Sequence, residues 1–181
     1  MEQNDKDKRD GLIYDVIIKG YDLGFFKATT GTPTVSSNKL RLTSASVSTY
    51  LLFKYGDYEF GLNVPTTPSA GEAKTWGLRA PGTDTLGAAY FEITGATFRA
   101  VTKDRSTTKT TTLTWSAYEN AETLFRIVWE PDRIQFLIAG VVVATHGVNL
   151  PEGPLPIRIT NGDADNTDLG YIAVRQAASI V

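Results

Sequence analysis

The chain holds 181 residues, with 18 Lys+Arg against 20 Asp+Glu, a formal net charge of −2 and no cysteine. That length suits one domain able to bury a sizeable core, and 41% hydrophobic against 21% charged residues excludes a disordered chain. Disulfides, Cys-based zinc sites and thiol nucleophiles are ruled out, and the acidic balance argues against a nucleic-acid partner, which needs a basic stripe.

The chain opens MEQNDKDKRD, seven charges in ten residues. Such a stretch can bury nothing, and it lacks the apolar run of roughly 7–15 residues that a signal peptide needs. Residues 1–35 are therefore read as a short N-terminal arm with the first strands, a docking segment ahead of a sandwich over 36–181. Period-two alternation predicts strands at 38–43, 47–54, 57–64, 73–79, 88–93, 96–103 and 108–115. In the last of these Thr108, Thr110, Thr112 and Thr114 share one face, polar enough for solvent or for a partner subunit. The one helix-like stretch, 116–122, is too short to organise a fold.

Further on, Phe125, Ile127 and Trp129 alternate with Arg126, Val128 and Glu130, and Ile134, Phe136 and Ile138 repeat the pattern after the Pro131–Asp132 turn. Ala139–Gly140 then breaks the alternation before Val141. Two more strands are expected at 154–160 and 169–176, between turns rich in Pro, Gly and Asx. The longest apolar run, around 139–144, falls far short of the roughly 20 residues of a membrane span, so no membrane contact is expected. A dozen short strands without a convincing helix predict an all-β, two-sheet antiparallel sandwich.

Four segments carry a family resemblance. Tyr55–Pro65 reads YGDYEFGLNVP, Phe125–Gly140 reads FRIVWEPDRIQFLIAG, and near the end come LPIRITNGD and LGYIAVRQ. In that order they resemble the concanavalin-like lectin/glucanase jelly rolls, the laminarinase and lichenase type above all. The resemblance spans about residues 40–176 and implies a jelly-roll β-sandwich; its motifs are mostly core and turn residues, so they speak for fold more than for function. Trp129 reads as core, and Glu59 points away from Tyr58 and Phe60.

The departures from that family bear on activity. Retaining glycosidases need two carboxylates about 5–5.5 Å apart, one nucleophile and one acid. The family carries them on one strand; the matching strand here, Ala89–Gly95, has Glu92 alone, with Tyr90 and Thr94 on its face. The expectation is therefore no catalytic residues and no enzyme. The family's Asp of the D-G turn is Ala139, and the Asp of its last strand is Gly170, which weakens any transfer of its structural calcium.

Other chemistry is sparse. Asn161, Asp163, Asp165, Asn166 and Asp168 crowd one loop with hard oxygen donors, but the spacing is not that of an EF-hand and Asx residues serve turns in their own right; no metal and no cofactor are assigned. His146, the sole histidine, has no G-x-S-x-G elbow to partner it and reads as a surface or strand-end residue. Phosphate-loop patterns are missing. Carbohydrate binding is the sharpest option: Trp76, Tyr90, Glu92 and Arg99 lie on strands that the resemblance places on or near the concave sheet, where rings stack on sugars and polar groups meet hydroxyls. By residue type each serves equally as core or rim.

A lectin-type sandwich with no signal, no cysteine and a polar arm fits a protein made in a host cytoplasm and carried out on a particle. The first expectation is thus a non-catalytic structural protein of a bacteriophage virion, a capsid decoration or tail surface. It would be a homo-oligomer docked to capsid or tail subunits, with weak adhesion to a surface glycan. The alternatives are a carbohydrate-binding module and a divergent glycoside hydrolase.

Overall fold

The computed structural model describes residues 16–176 apart from 21, 65–67, 69–70, 81–85, 116–117 and 120. The charged arm, 1–10, lies outside the described residues. The strands are β1 (Val16–Lys19), β2 (Phe26–Thr30), β3 (Thr34–Ser36), β4 (Lys39–Leu42), β5 (Ala45–Phe53), β6 (Gly56–Asn63), β7 (Ala73–Arg79) and β8 (Ala88–Thr94). They continue with β9 (Thr97–Lys103), β10 (Thr108–Leu113), β11 (Glu122–Trp129), β12 (Ile134–Ile138), β13 (Val141–His146), β14 (Leu155–Asn161) and β15 (Thr167–Gln176). A short 3-10 turn, Leu23–Phe25, joins β1 to β2. Of the helix-like stretch 116–122, the described residues are a turn at Tyr118–Glu119, a bend at Ala121 and the first residue of β11.

An eight-stranded sheet runs β13-β12-β11-β6-β15-β4-β3 with β1 beside β15, and a seven-stranded sheet runs β10-β9-β8-β7-β14-β5-β2. Among the described residues every ladder is antiparallel. The expected jelly-roll sandwich is the fold observed. The strands β1, β2 and β3, grouped with the arm in the sequence, are hydrogen-bonded into the two sheets, since β1 pairs with β15, β2 with β5 and β3 with β4.

Alternation explains the core. From the seven-stranded sheet Trp76, Phe91 and Phe98 point inward and are fully buried, and from the eight-stranded sheet Phe125 and Phe136 meet them. Trp76 and Phe125 lie edge to face at 4.7 Å, Phe91 and Phe136 at 5.2 Å. Such pairs add about 0.5–1.5 kcal/mol each beyond the area they bury. Trp129 is buried as expected.

His146 is a strand-end residue, as one of its two expected readings had it, and not a surface one. It ends β13, but it is buried between the sheets, 1% exposed. Its Nδ1 is 2.8 Å from the hydroxyl of Thr102 and its Nε2 2.9 Å from that of Thr111, so it ties β13 to β9 and β10 across the sandwich. Burial, and secondarily Lys109, holds its pKa below the usual histidine value. The polarity of Thr102 and Thr111 makes a buried imidazole tolerable, because both ring nitrogens are satisfied.

The Asx-rich loop is used up internally. Asn161 donates to the carbonyls of Leu42 (2.8 Å) and Asp165, Asn166 accepts from Thr43 at 2.6 Å, and Asp168 receives a two-pronged bond from Arg41. Asp163 and Asp165 also offset the fully buried Lys74, whose ammonium is pulled down by burial. Among the described residues no group of three or more His, Cys, Asp or Glu is placed to hold a metal.

Candidate functional site

The registers lay out the outer face of the seven-stranded sheet in rows. One row runs Ser46–Thr160–Thr75–Glu92–Arg99–Thr112, the next Ser48–Arg158–Gly77–Tyr90–Val101–Thr110, and a third carries Arg79–Ala88–Lys103–Thr108. Side chains on neighbouring strands of a row stand about 5 Å apart.

Three of these residues, Ala88, Tyr90 and Val101, form a small apolar cluster separate from the main core, with Tyr90 only 8% exposed. They make an apolar floor among the polar residues of these rows. Gly77 lets β7 lie close against β8 beside that floor. Its φ is +150°, and a Cβ there would fall 2.6 Å from the Tyr90 Cα and 2.8 Å from its Cβ. The guanidinium of Arg79 covers the Tyr90 ring at 4.8 Å from its centroid, a cation–π contact. Beside the floor Arg99 faces Glu92 at 3.7 Å, an ion pair too long for a hydrogen bond, with the two side chains 36% and 20% exposed.

Of the four expected glycan residues, the structure brings Tyr90, Glu92 and Arg99 onto this face and leaves Trp76 out. Trp76 is a correction: it is fully buried because the same alternation that turns Thr75 and Gly77 outward turns it into the aromatic core. Arg79, Gly77 and Arg158 join the face without having been singled out. Their signal is the period-two pattern itself, which carries every residue odd in step with Trp76 to the outer side.

Among the described residues Glu92 is the sole carboxylate on the strands of this face, flanked along β8 by Tyr90 and Thr94. Two acids do come together elsewhere, Asp57 and Glu59, on the outer face of the eight-stranded sheet. Both are committed: Arg126 grips Asp57 with two nitrogens, Nε at 2.6 Å, and the Tyr171 hydroxyl donates to Glu59.

Neither a protein-family model nor a curated protein matches the sequence. Solved structures do. A Bacillus licheniformis β-glucanase superposes with a TM-score of 0.72 at 15% identity, covering 90% of this chain and 98% of that one. A prokaryotic β-1,3-1,4-glucanase (lichenase) from a mouse hindgut metagenome gives 0.71 at 16%, covering 90% and 99%. Crh5 transglycosylase in complex with NAG gives 0.71 at 15%, covering 90% and 84%. Identities this low establish the fold alone.

The comparisons correct the rest of the first expectation. These three structures, which share this fold over nearly the whole chain, are two glucanases and a transglycosylase, not phage proteins, and on that finding the virion reading falls. With it fall the capsid and tail partners, the virion location and the conclusion that the chain is no enzyme. A polar opening stretch and the lack of cysteine are too general to carry those conclusions, because they describe many chains that never join a particle.

Proposed function

We propose that the outer face of the seven-stranded sheet binds a carbohydrate chain. The observation that carries this reading is the apolar floor of Ala88, Tyr90 and Val101 bordered by Glu92, Arg99 and Arg79. Oriented polar groups around an apolar base are what a saccharide requires, the base for its C–H faces and the rim for its hydroxyls. The likeness to structures titled β-glucanase and lichenase supports a β-linked glucan as the first ligand to try. A second reading, glycosidic cleavage with Glu92 moving the proton to the leaving oxygen, is favoured by that same likeness and by the place of Glu92 beside the floor.

Calorimetry with laminarin and with mixed-linkage β-glucan tests the first reading, and release of reducing ends from the same mixtures tests the second. Binding is expected, and Glu92→Gln weakens it about tenfold, the usual scale for a hydrogen bond to a charged group. Silence of the protein across a broad glycan array sinks the proposal.

A further inference from the structure

The outer face of the seven-stranded sheet is out of balance with the chain that carries it. The protein as a whole is net negative at −2. Yet on the described strands of this face Arg79, Arg99, Lys103 and Arg158 stand around one carboxylate, Glu92. Their placement is close. Arg79 and Lys103 flank Ala88 in one row, Arg158 flanks Gly77 in the next, and Arg99 faces Glu92 in the third.

The chemistry of these groups suits an anion. A guanidinium offers five N–H donors, so partners within the protein leave others for a ligand. Its planar fork matches carboxylate and sulfate oxygens two at a time. Arg99 holds Glu92 only at 3.7 Å, beyond hydrogen-bonding distance. Arg79 lies on the Tyr90 ring, and that contact fixes the guanidinium over the floor. A neutral sugar laid beside the floor gains nothing from the positive charge of Arg79. An anionic sugar instead meets Arg79 where it lies. We infer that this face takes a polysaccharide bearing sulfate or carboxylate groups, with Arg79, Lys103 and Arg158 reading the anions. The inference rests on the carbohydrate reading above and narrows its ligand class. A nucleic acid suits the floor less well, since Tyr90 is already covered by Arg79 and single strands bind by stacking on open rings.

The test compares laminarin with its sulfate ester and with polygalacturonate, by calorimetry at low and high salt. At low salt at least one anionic polymer should bind ten times tighter than laminarin, and added salt should erode that preference. The two anionic arms tell sulfate from carboxylate. Arg79→Gln and Arg158→Gln, each checked for folding by its thermal transition, should drive the ratio of anionic to neutral affinity toward one. Lys103→Gln, a smaller change at the edge of the floor, serves if either arginine variant fails to fold. Laminarin bound as well as its sulfate ester overturns this inference and leaves the carbohydrate reading standing. A DNA oligomer bound as tightly as the sulfated chain also overturns it, and binding of none of the polymers overturns both.

Discussion

Gly77 and Tyr90 lie directly opposite each other on β7 and β8, and only the missing side chain of Gly77 lets the two backbones keep that register. A Cβ at position 77 would come within 2.6 Å of the Tyr90 Cα, and the φ of +150° is one that L side chains rarely adopt. Strain of that kind costs about 1–3 kcal/mol before any clash. Gly77→Ala should therefore destabilise the fold by roughly 2–4 kcal/mol, overpacking included. Gly95→Ala is the control, since its φ is +54° and nothing lies within 4 Å of its would-be Cβ; it should cost about 1–2 kcal/mol. Urea titrations of both variants check the order, and equal losses would refute the crowding at Gly77.

His146 sets a pH dependence. Its folded pKa lies below the ordinary 6.5 because burial disfavours the cation and Lys109 repels it. Below about pH 6.5 the unfolded chain takes up a proton that the folded chain refuses. Stability is thus complete above that pH and is lost as pH falls toward the lower folded value. His146→Gln, less stable at pH 7.5 for want of a link between Thr102 and Thr111, should show a shallower decline between pH 7 and 5. Thermal transitions across that range decide it, and parallel declines would remove His146 as the cause.

How far the sequence carries can be judged from two strands. β7 has the expected limits, 73–79, although Lys74 interrupts the apolar side of its alternation; that side also holds Trp76, in step with Leu78. The opening strands behaved differently. β1 and β3 are four and three residues long, too short for alternation to rise above noise. Only their partners, β15 and β4, make them strands. His146 was opaque for a related reason: its two hydroxyl partners come from residues 44 and 35 positions away in the chain. Pairings over such distances leave no local mark.

Asp104 closes the turn between β9 and β10 and should mark the acid limb. Its carboxylate accepts the backbone N–H groups of Ser106 and Thr107, each at 2.7 Å, and the Thr107 hydroxyl at 2.8 Å. These bonds, led by the Thr107 N–H, hold its pKa at about 2 against an ordinary 3.8. A depressed carboxylate stabilises the fold above the unfolded pKa, and that contribution disappears as pH falls from 3.8 toward 2. Asp104→Ala should be less stable than the parent at pH 7, and the gap should narrow over that acid interval. A gap that stays constant from pH 7 to pH 2 would contradict the assignment.

The β12–β13 hairpin offers a gain. Ile138 pairs with Val141, leaving the two-residue loop Ala139–Gly140, with φ of 48° and 82°. Two positive φ values in succession are the signature of a type I′ turn, which favours Asn, Asp or Gly first and Gly second. Gly140 meets the demand, but Ala139 has a Cβ that crowds the following carbonyl in this conformation, at a cost of about 1–2 kcal/mol. The family that the sequence resembles has Asp at this place, which suits the turn where alanine does not. Ala139→Asn should recover about 0.5–1 kcal/mol, because its amide bonds locally and tolerates the left-handed region. For a domain of this size that corresponds to a rise in Tm of roughly 1–4 °C. Ala139→Val, with a branched Cβ in the same strained place, should lower Tm instead. The two variants differ in the sign of their effect, so a calorimetric scan of each is decisive; a fall in Tm for both would mean that the side chain at 139 is held by contacts beyond the turn itself.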